Sequence, residues 1–270
     1  GDIVNGVVFG DFAIEPAHRS LGPALLFQKT FLELAWEEYD LVYGFPNDSS
    51  GSVRVFGGHK LNGEVVAYKL PLDPGATLAR KLGLPRALAG LVASLINLLG
   101  RPLMQWRLGS FVQQSVSVDV DDQFLDAVWD SVRRRGDALG VRDAVTVRWR
   151  LEEVPEQPFS FFGITDRQGQ PAAWLAFTVD SVERTVRIVD YLAVSPVALQ
   201  SAIARLAQQH RRARVVSIKL IGHEADWISA VATMGFAETK RSQHFASICP
   251  PARERMAPED FRLSVFDNDA

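Results

Sequence analysis

A chain of 270 residues, 47% of them hydrophobic, 10% aromatic and 23% charged, can bury a sizeable core, which excludes collagen-like, low-complexity and wholly disordered chains. Its formal net charge of −3 provides no global polycationic field, so nucleic acid is not an expected partner. The single cysteine, Cys249, excludes an internal disulfide and a cysteine-based zinc site, and points to a reducing, cytoplasmic setting.

The chain begins at Gly1 without a methionine, and no basic region with an apolar leader precedes the first strand-like run, so a trimmed start or a missing N-terminal piece is expected. Val7 to Ile14 reads as a strand and Pro16 as part of a turn. The helix that follows runs from about Pro23 to Glu38, with Ala24, Phe27, Phe31, Leu34 and Ala35 as its apolar face. A second strand, Asp40 to Phe45, leads to a polar turn at Pro46 to Ser50, a short helical stretch near Ser52, and the glycines Gly57 and Gly58. The most lipophilic stretch is Arg86 to Leu99. At about 1.5 Å per residue it spans roughly 21 Å, short of the ~30 Å hydrocarbon layer, so no transmembrane segment is expected. Leu88, Leu91, Val92, Leu95, Leu98 and Leu99 fall on one stripe, read as the face of a core or bridging helix in preference to a helix lying in a membrane interface.

The same order of elements returns later. Val186 to Val194 is a strand followed by Pro196; Leu199, Ile203, Leu206 and Ala207 mark a helix; Val215 to Ile221 is a strand, Glu224 to Met234 a helix, and Gly235 its stop. The offsets are 180 from Ile14 to Val194 and 178 from Gly57 to Gly235. Val116 to Val120, Phe124 to Arg135, Phe159 to Thr165 and Ala172 to Val179 open this second copy, with no equivalent before Val7. The expected fold is α/β: two related units with mixed central sheets flanked by helices, the first truncated at its N-terminus. The expected division is an N-terminal unit over 1–75, a bridging helical segment over 76–112, a degenerate second unit over 113–250 and a tail over 251–270.

The informative segment is a strand end, then Pro16-Ala17-His18-Arg19-Ser20-Leu21-Gly22-Pro23-Ala24, then a helix. Backbone N–H groups converging at a helix N-terminus suit a pyrophosphate, and Gly22 removes the side chain that would block close approach. Pro23 fits the first helical turn but offers no N–H. The spacing Arg19-x-x-Gly22-x-Ala24 after Ala13-Ile14-x-Pro16, followed by Tyr43-Gly44-Phe45-Pro46-Asn47-x-x-Ser50, resembles the GCN5-related N-acetyltransferase (GNAT) superfamily. In particular it is similar to tandem GNAT-like acyltransferases of bacterial polysaccharide gene clusters. Arg142-Asp143 through Trp149-Arg150 to Pro155 resembles the middle of those proteins.

The resemblance implies an acyl-CoA-dependent N-acyltransferase with acetyl-CoA or another acyl-CoA as co-substrate. The implied acceptor is a small-molecule or glycan amine, such as an amino sugar of a cell-surface polysaccharide. Ala13 and Ile14 would pair through their backbone with the pantetheine amides; Arg19, Ser20, Leu21, Gly22 and Ala24 would hold the pyrophosphate; Asn47 and Ser50 would reach the pantetheine arm or the adenosine diphosphate. Other readings stand beside these. Arg19 is also explained as a solvated turn residue, and Asn47 as the N-cap of the next helix. Asp11 is the carboxylate candidate for the base, on the strand face opposite Phe12 and Ile14, or else an ordinary strand-edge carboxylate. Phe56 occupies the position nearest to the tyrosine acid of many GNAT enzymes, which leaves that role empty or to water or His59. His59 also reads as a plain loop histidine.

In the second copy, Ser195-Pro196-Val197-Ala198-Leu199 lacks the loop glycine, and that unit is expected to bind no CoA. His210-Arg211-Arg212 and Glu224-x-Asp226 read as a helix cap and first-turn acids, so no metal is expected. A homodimer is allowed for. The rival reading is a catalytically silent GNAT-like module that binds CoA, a metabolite or a protein; a third is a peripheral membrane factor using Arg86 to Leu99.

Overall fold

The computed structural model describes residues 4–10, 15, 20–83, 85–112, 115–133, 138–152, 159–221, 225–249 and 261–262. The first half contains β1 (Gly6–Val8), α1 (Leu21–Ala35), β2 (Leu41–Gly44), α2 (Asp48–Phe56) and β3 (Lys60–Pro71). Two helices follow, α3 (Pro74–Lys81) and α4 (Arg86–Val112). The second half opens with β4 (Val116–Val118), α5 (Asp122–Val132), β5 (Ala138–Leu139), α6 (Ala144–Glu152), β6 (Ser160–Thr165) and β7 (Pro171–Asp180). It then repeats the pattern of the first half as β8 (Thr185–Ala193), α7 (Pro196–Gln209), β9 (Val215–Ile221), α8 (Ala225–Thr233) and β10 (Ala237–Ile248). A short β11 (Phe261–Arg262) runs parallel to β5.

Nine strands form one mixed sheet in the order β1-β2-β10-β3-β9-β8-β7-β6-β4. The expected α/β units are present, and their sheets are continuous. β3 and β10, both 12 residues long and displaced by 177 positions (60 to 237, 71 to 248), pair antiparallel at the centre. Each also lies beside the other half's second strand: β10 against β2, β3 against β9. The two halves therefore exchange their last strands around the β3–β10 ladder. Neither strand was legible as one, because Asn62-Gly63 and the run from Glu238 break the alternation that marks a half-buried strand.

Helices cover both faces. Along β7, Ala173, Leu175 and Phe177 enter the large core under α7 and α8, whereas Trp174 and Ala176 enter a second core with Phe124, Leu125 and Val128 of α5 and Val147 of α6; alternation of side chains sends neighbours to opposite faces. Arg142 and Asp190 are both buried and pair at 3.2 Å, with Arg142 also donating to the Gly140 carbonyl at 3.0 Å. The resemblance of the Arg142 segment thus falls on an internal ion pair.

Two expectations are corrected. The buried face of α1 is Ala24, Gln28, Leu32 and Ala35, while Phe27 and Leu34 are exposed; the helix is rotated because a polar residue, Gln28, points inward. α4 is 27 residues long rather than 14, with Pro102 inside it. Among the described residues it is the one helix long and apolar enough, by length and composition, to cross a membrane. Its leucine stripe is not a core face: Leu88, Leu91, Leu95, Leu98 and Leu99 are all exposed. The opposite side is the anchored one. Gly75 N–H and Asp73 bind the Asn97 amide, Arg101 pairs with Asp73 at 2.7 Å, and Leu108 is fully buried.

Residues 115–270 expressed alone would leave β9 with an open edge and β10 without either of its neighbours, β2 and β3. Such a fragment should self-associate or aggregate, and adding residues 1–112 in trans should restore a soluble one-to-one complex; size-exclusion chromatography with light scattering reads both.

Candidate functional site

The site is built where β1 and β2 run parallel, with Gly6 opposite Leu41 and Val8 opposite Tyr43, and where Phe9 N–H donates to the Tyr43 carbonyl at 2.7 Å. The chain leaves β1 and returns at Ser20, the N-cap of α1, in extended conformation and without a side-chain capping bond. The first amides of a helix have no partner inside it. At α1 these are Leu21 and Gly22, since Pro23 has no N–H. A Cβ built on Gly22 meets nothing within 4 Å among the described residues. None of the described residues therefore requires glycine at this position. Asp11, Ala13, Ile14 and Arg19 lie outside the described residues. Leu21 is exposed. Ala24 is buried, and as the fourth helical residue its amide is the first with an intrahelical acceptor.

The repeat provides an internal control. Ser195 caps α7 with its own Oγ, which accepts from Ala198 N–H at 3.1 Å. Pro196 lacks the first amide, and exposed Val197 stands two residues after the cap, where Gly22 stands after Ser20. Among the described residues the α1 end has no side-chain cap, and the α7 end is capped by its own serine. The second unit's strands also part early: β8 and β9 pair only from Thr185 to Arg187 and from Val215 to Ser217. Beyond this Tyr191 of β8 meets Trp227 of α8 at 6.2 Å, both buried in the main core.

Asn47 and Ser50 cap α2 reciprocally. Asn47 Oδ1 accepts from Ser50 N–H at 3.0 Å, and Ser50 Oγ accepts from Asn47 N–H at 3.1 Å. This is the N-cap reading of Asn47, a capping box with the hydroxyl in the place usually taken by glutamate. Phe56, at the C-terminal end of α2, is exposed.

Sequence reasoning missed a buried polar cluster between α1 and α2. Gln28, Arg54 and His59 are all buried. Gln28 Nε2 lies 2.8 Å from His59 Nδ1; with the amide donating, Nδ1 is the acceptor and Nε2 carries the proton. His59 Nε2 has no partner among the described residues. Burial, reinforced by the neighbouring Arg54 charge, pushes the His59 pKa down to about 4. His59 is thus a neutral core residue at pH 7, neither a solvated loop histidine nor a charged proton donor. Arg54, lowered by burial to about 10, keeps its charge. Its Nη2 donates to the Phe9 carbonyl at 2.6 Å, and its guanidinium lies 3.6 Å over the Phe9 ring. Phe9 in turn stacks on Phe31 of α1 at 4.2 Å. A cation buried under both helices therefore fixes the chain where it leaves β1. The legible signal was Gly57 beside Gly58 and His59: a Cβ on Gly57 would overlap the Gln28 amide.

No family model matches this sequence, and no curated protein matches it. Solved structures do. A conserved protein of unknown function from Enterococcus faecalis V583, described as a probable N-acyltransferase, superposes with a TM-score of 0.59 at 13% identity, over 90% of this chain and 54% of that one. A GCN5-related N-acetyltransferase from Anabaena variabilis ATCC 29413 gives 0.58 at 13%, over 90% and 55%, and one from Kribbella flavida 0.52 at 12%, over 92% and 53%. The chain spans about half the length of each of these proteins. At such identities the likeness is one of architecture: the fold is that of the GNAT proteins.

The depressed His59 pKa sets a stability window. Below the ordinary value of 6.5 the unfolded chain takes up a proton that the folded chain refuses until about pH 4. Stability is therefore full above pH 6.5 and falls as pH drops toward 4, by up to about 3 kcal/mol from this group. Urea unfolding at pH 7 and pH 4.5 should show the loss. In His59→Asn the slope should flatten by most of that amount, leaving the contribution of His210, whose pKa burial lowers in the same direction.

Proposed function

We propose that the chain is an acyl-CoA-dependent N-acyltransferase whose co-substrate lies at the N-terminus of α1. The observation that carries the reading is the asymmetry between two corresponding helix ends: Ser20 leaves α1 without a side-chain cap before Gly22, whose missing Cβ meets none of the described residues, and Ser195 caps α7 before Val197. Leu21 and Gly22 would offer their amides to the pyrophosphate, with Arg19 beside them. The buried Arg54 charge favours an anion on the same side of the sheet. The acceptor is an amine, for which an amino sugar of a cell-surface polysaccharide is the class suggested by the sequence resemblance, and the setting is the cytoplasm. In the transfer the thioester C–S bond breaks and a C–N bond forms, so the amine must lose a proton and the thiolate must gain one. Asp11 would accept the first.

A silent CoA-binding module is the second reading, favoured by two observations. Exposed Phe56 carries no acid, and His59, neutral and buried, is not available to protonate the thiolate.

Calorimetric titration with acetyl-CoA and longer acyl-CoAs tests the binding site. Saturation is expected at one CoA per chain, and two would show that the α7 end binds as well. Gly22→Val should lower affinity at least about tenfold with an unchanged circular dichroism spectrum, since a Cβ at this position meets none of the described residues. Unchanged affinity would remove the site.

Turnover separates the two readings. If Asp11 accepts the amine proton, Asp11→Asn should reduce kcat by roughly 10²–10⁴-fold with CoA affinity retained. A destabilised but fully active variant would make Asp11 a strand-edge residue, and a wild-type chain that binds CoA without acylating any amine would favour the silent module.

A further inference from the structure

The stripe on α4 is the largest feature that the proposed activity does not use. Leu91, Leu95, Leu98, Leu99, Leu103 and Trp106 are each at least 65% exposed. At 100° per residue they occupy an arc of about 140° along one side of the helix. Isolated exposed leucines need no explanation, but a continuous apolar stripe marks an interaction surface. The opposite side is fixed to the protein by the Asp73–Asn97–Arg101 network near its middle and by buried Leu108. Toward its C-terminal end the Phe111 carbonyl accepts from Ser201 and the Val112 carbonyl from Arg205, both of α7. The stripe is thus presented on a braced rod, not on a loose segment.

Charge identifies what would cover it. From Asp73 to Val118 the one acidic residue, Asp73, is taken by Arg101, and Arg80, Lys81, Arg86 and Arg107 are basic with no other acid in the segment. That segment carries a net +4 in a chain whose net charge is −3, which leaves −7 on the remainder. A second copy docked through the same face would bring two such segments together without an acid between them. An anionic lipid surface meets both features at once, receiving the leucines at the headgroup boundary and attracting the cations. Trp106 beside exposed Arg107 has the amphipathic character found at that depth. Crossing the bilayer is disfavoured, because Asn97 and Arg101 would have to leave Asp73 and enter hydrocarbon.

We propose that the α4 face docks in the plane of an anionic membrane surface, so that the protein acts peripherally at a bilayer. The test is flotation of the full chain with vesicles of phosphatidylcholine with and without phosphatidylglycerol, at low and high salt. Co-flotation with phosphatidylglycerol vesicles, weakened by salt and by omission of the anionic lipid, is expected. The double substitution Leu95→Glu and Leu99→Glu should lower it at least about tenfold with circular dichroism and CoA affinity unchanged. Arg86→Glu should lower it less. Absence of flotation with anionic vesicles overturns the proposal. So does light scattering showing a wild-type dimer that the same leucine substitutions convert to monomer, since the stripe would then be occupied by a second copy. Because CoA affinity is read separately, failure here leaves the α1 site intact.

Discussion

The antiparallel ladder between β3 and β10 is the constraint on which the rest of the structure depends. Each half of the chain makes a β-α-β-α-β array whose last strand is not placed beside its own second strand. β2 receives β10 and β9 receives β3. A lone half would expose unpaired strand edges at its centre, each a row of amide and carbonyl groups open to association. The exchange satisfies both sets and makes one nine-stranded sheet from a repeat that the sequence carries 177 positions apart. It also explains why α3 and α4 are needed. β3 ends in the middle of the sheet and β4 begins at its far edge, so the chain must cross the β9-β8-β7-β6 strands, and α4 crosses against α7.

Duplication within one sheet lets the two copies diverge without altering the frame. The two helix ends differ by a few side-chain decisions. A serine hydroxyl turned onto the third helical amide caps α7, with a valine two positions after the serine; at α1 the same residue type makes no side-chain cap, and a glycine stands two positions after it. None of these residues is needed by the core, so selection could change them at little cost to stability. Tyr191 and Trp227 act on a different scale, packing the parting of β8 and β9 into the main core.

How much of this was legible follows from the physics of each signal. The repeated βαβ units were readable because parallel strands joined by a helix keep long apolar runs between turn residues, and the start of α1 was readable to within two residues from Pro23, whereas its N-cap, Ser20, was not. The buried face of α1 was not. Periodicity ranks apolar residues, and so it selected Phe27 and Leu34 over Gln28, whose burial depends on a histidine 31 residues away. β3 and β10 were missed because each is paired on both sides, and residues such as Asn62, hydrogen-bonded to Ser247, find partners only in the exchanged sheet. Asn47 illustrates the opposite case. Its spacing to Ser50 was compatible with a ligand and with a cap, and local geometry, which needs no ligand, gives the cap.

The α4 stripe shows the limit of amphipathicity as a signal. A moment states that one side of a helix is apolar; it does not state which side the protein holds. On α4 the holding side is the polar one. Burial pushes the Asp73 carboxyl up, but bonds from Ala76 N–H, Asn97 and Arg101, with the Arg101 charge, outweigh this and keep it below its ordinary value. It therefore remains a carboxylate able to bind Asn97 and Arg101 together. Gly75 lies so close to the Ala93 backbone that a Cβ there would collide with it. α3 and α4 are thus clamped by polar and backbone contacts, and a clamp of this kind leaves the leucines facing outward whatever their hydropathy. The rotation of α4 is set by Asp73, and the outward leucines follow from that rotation.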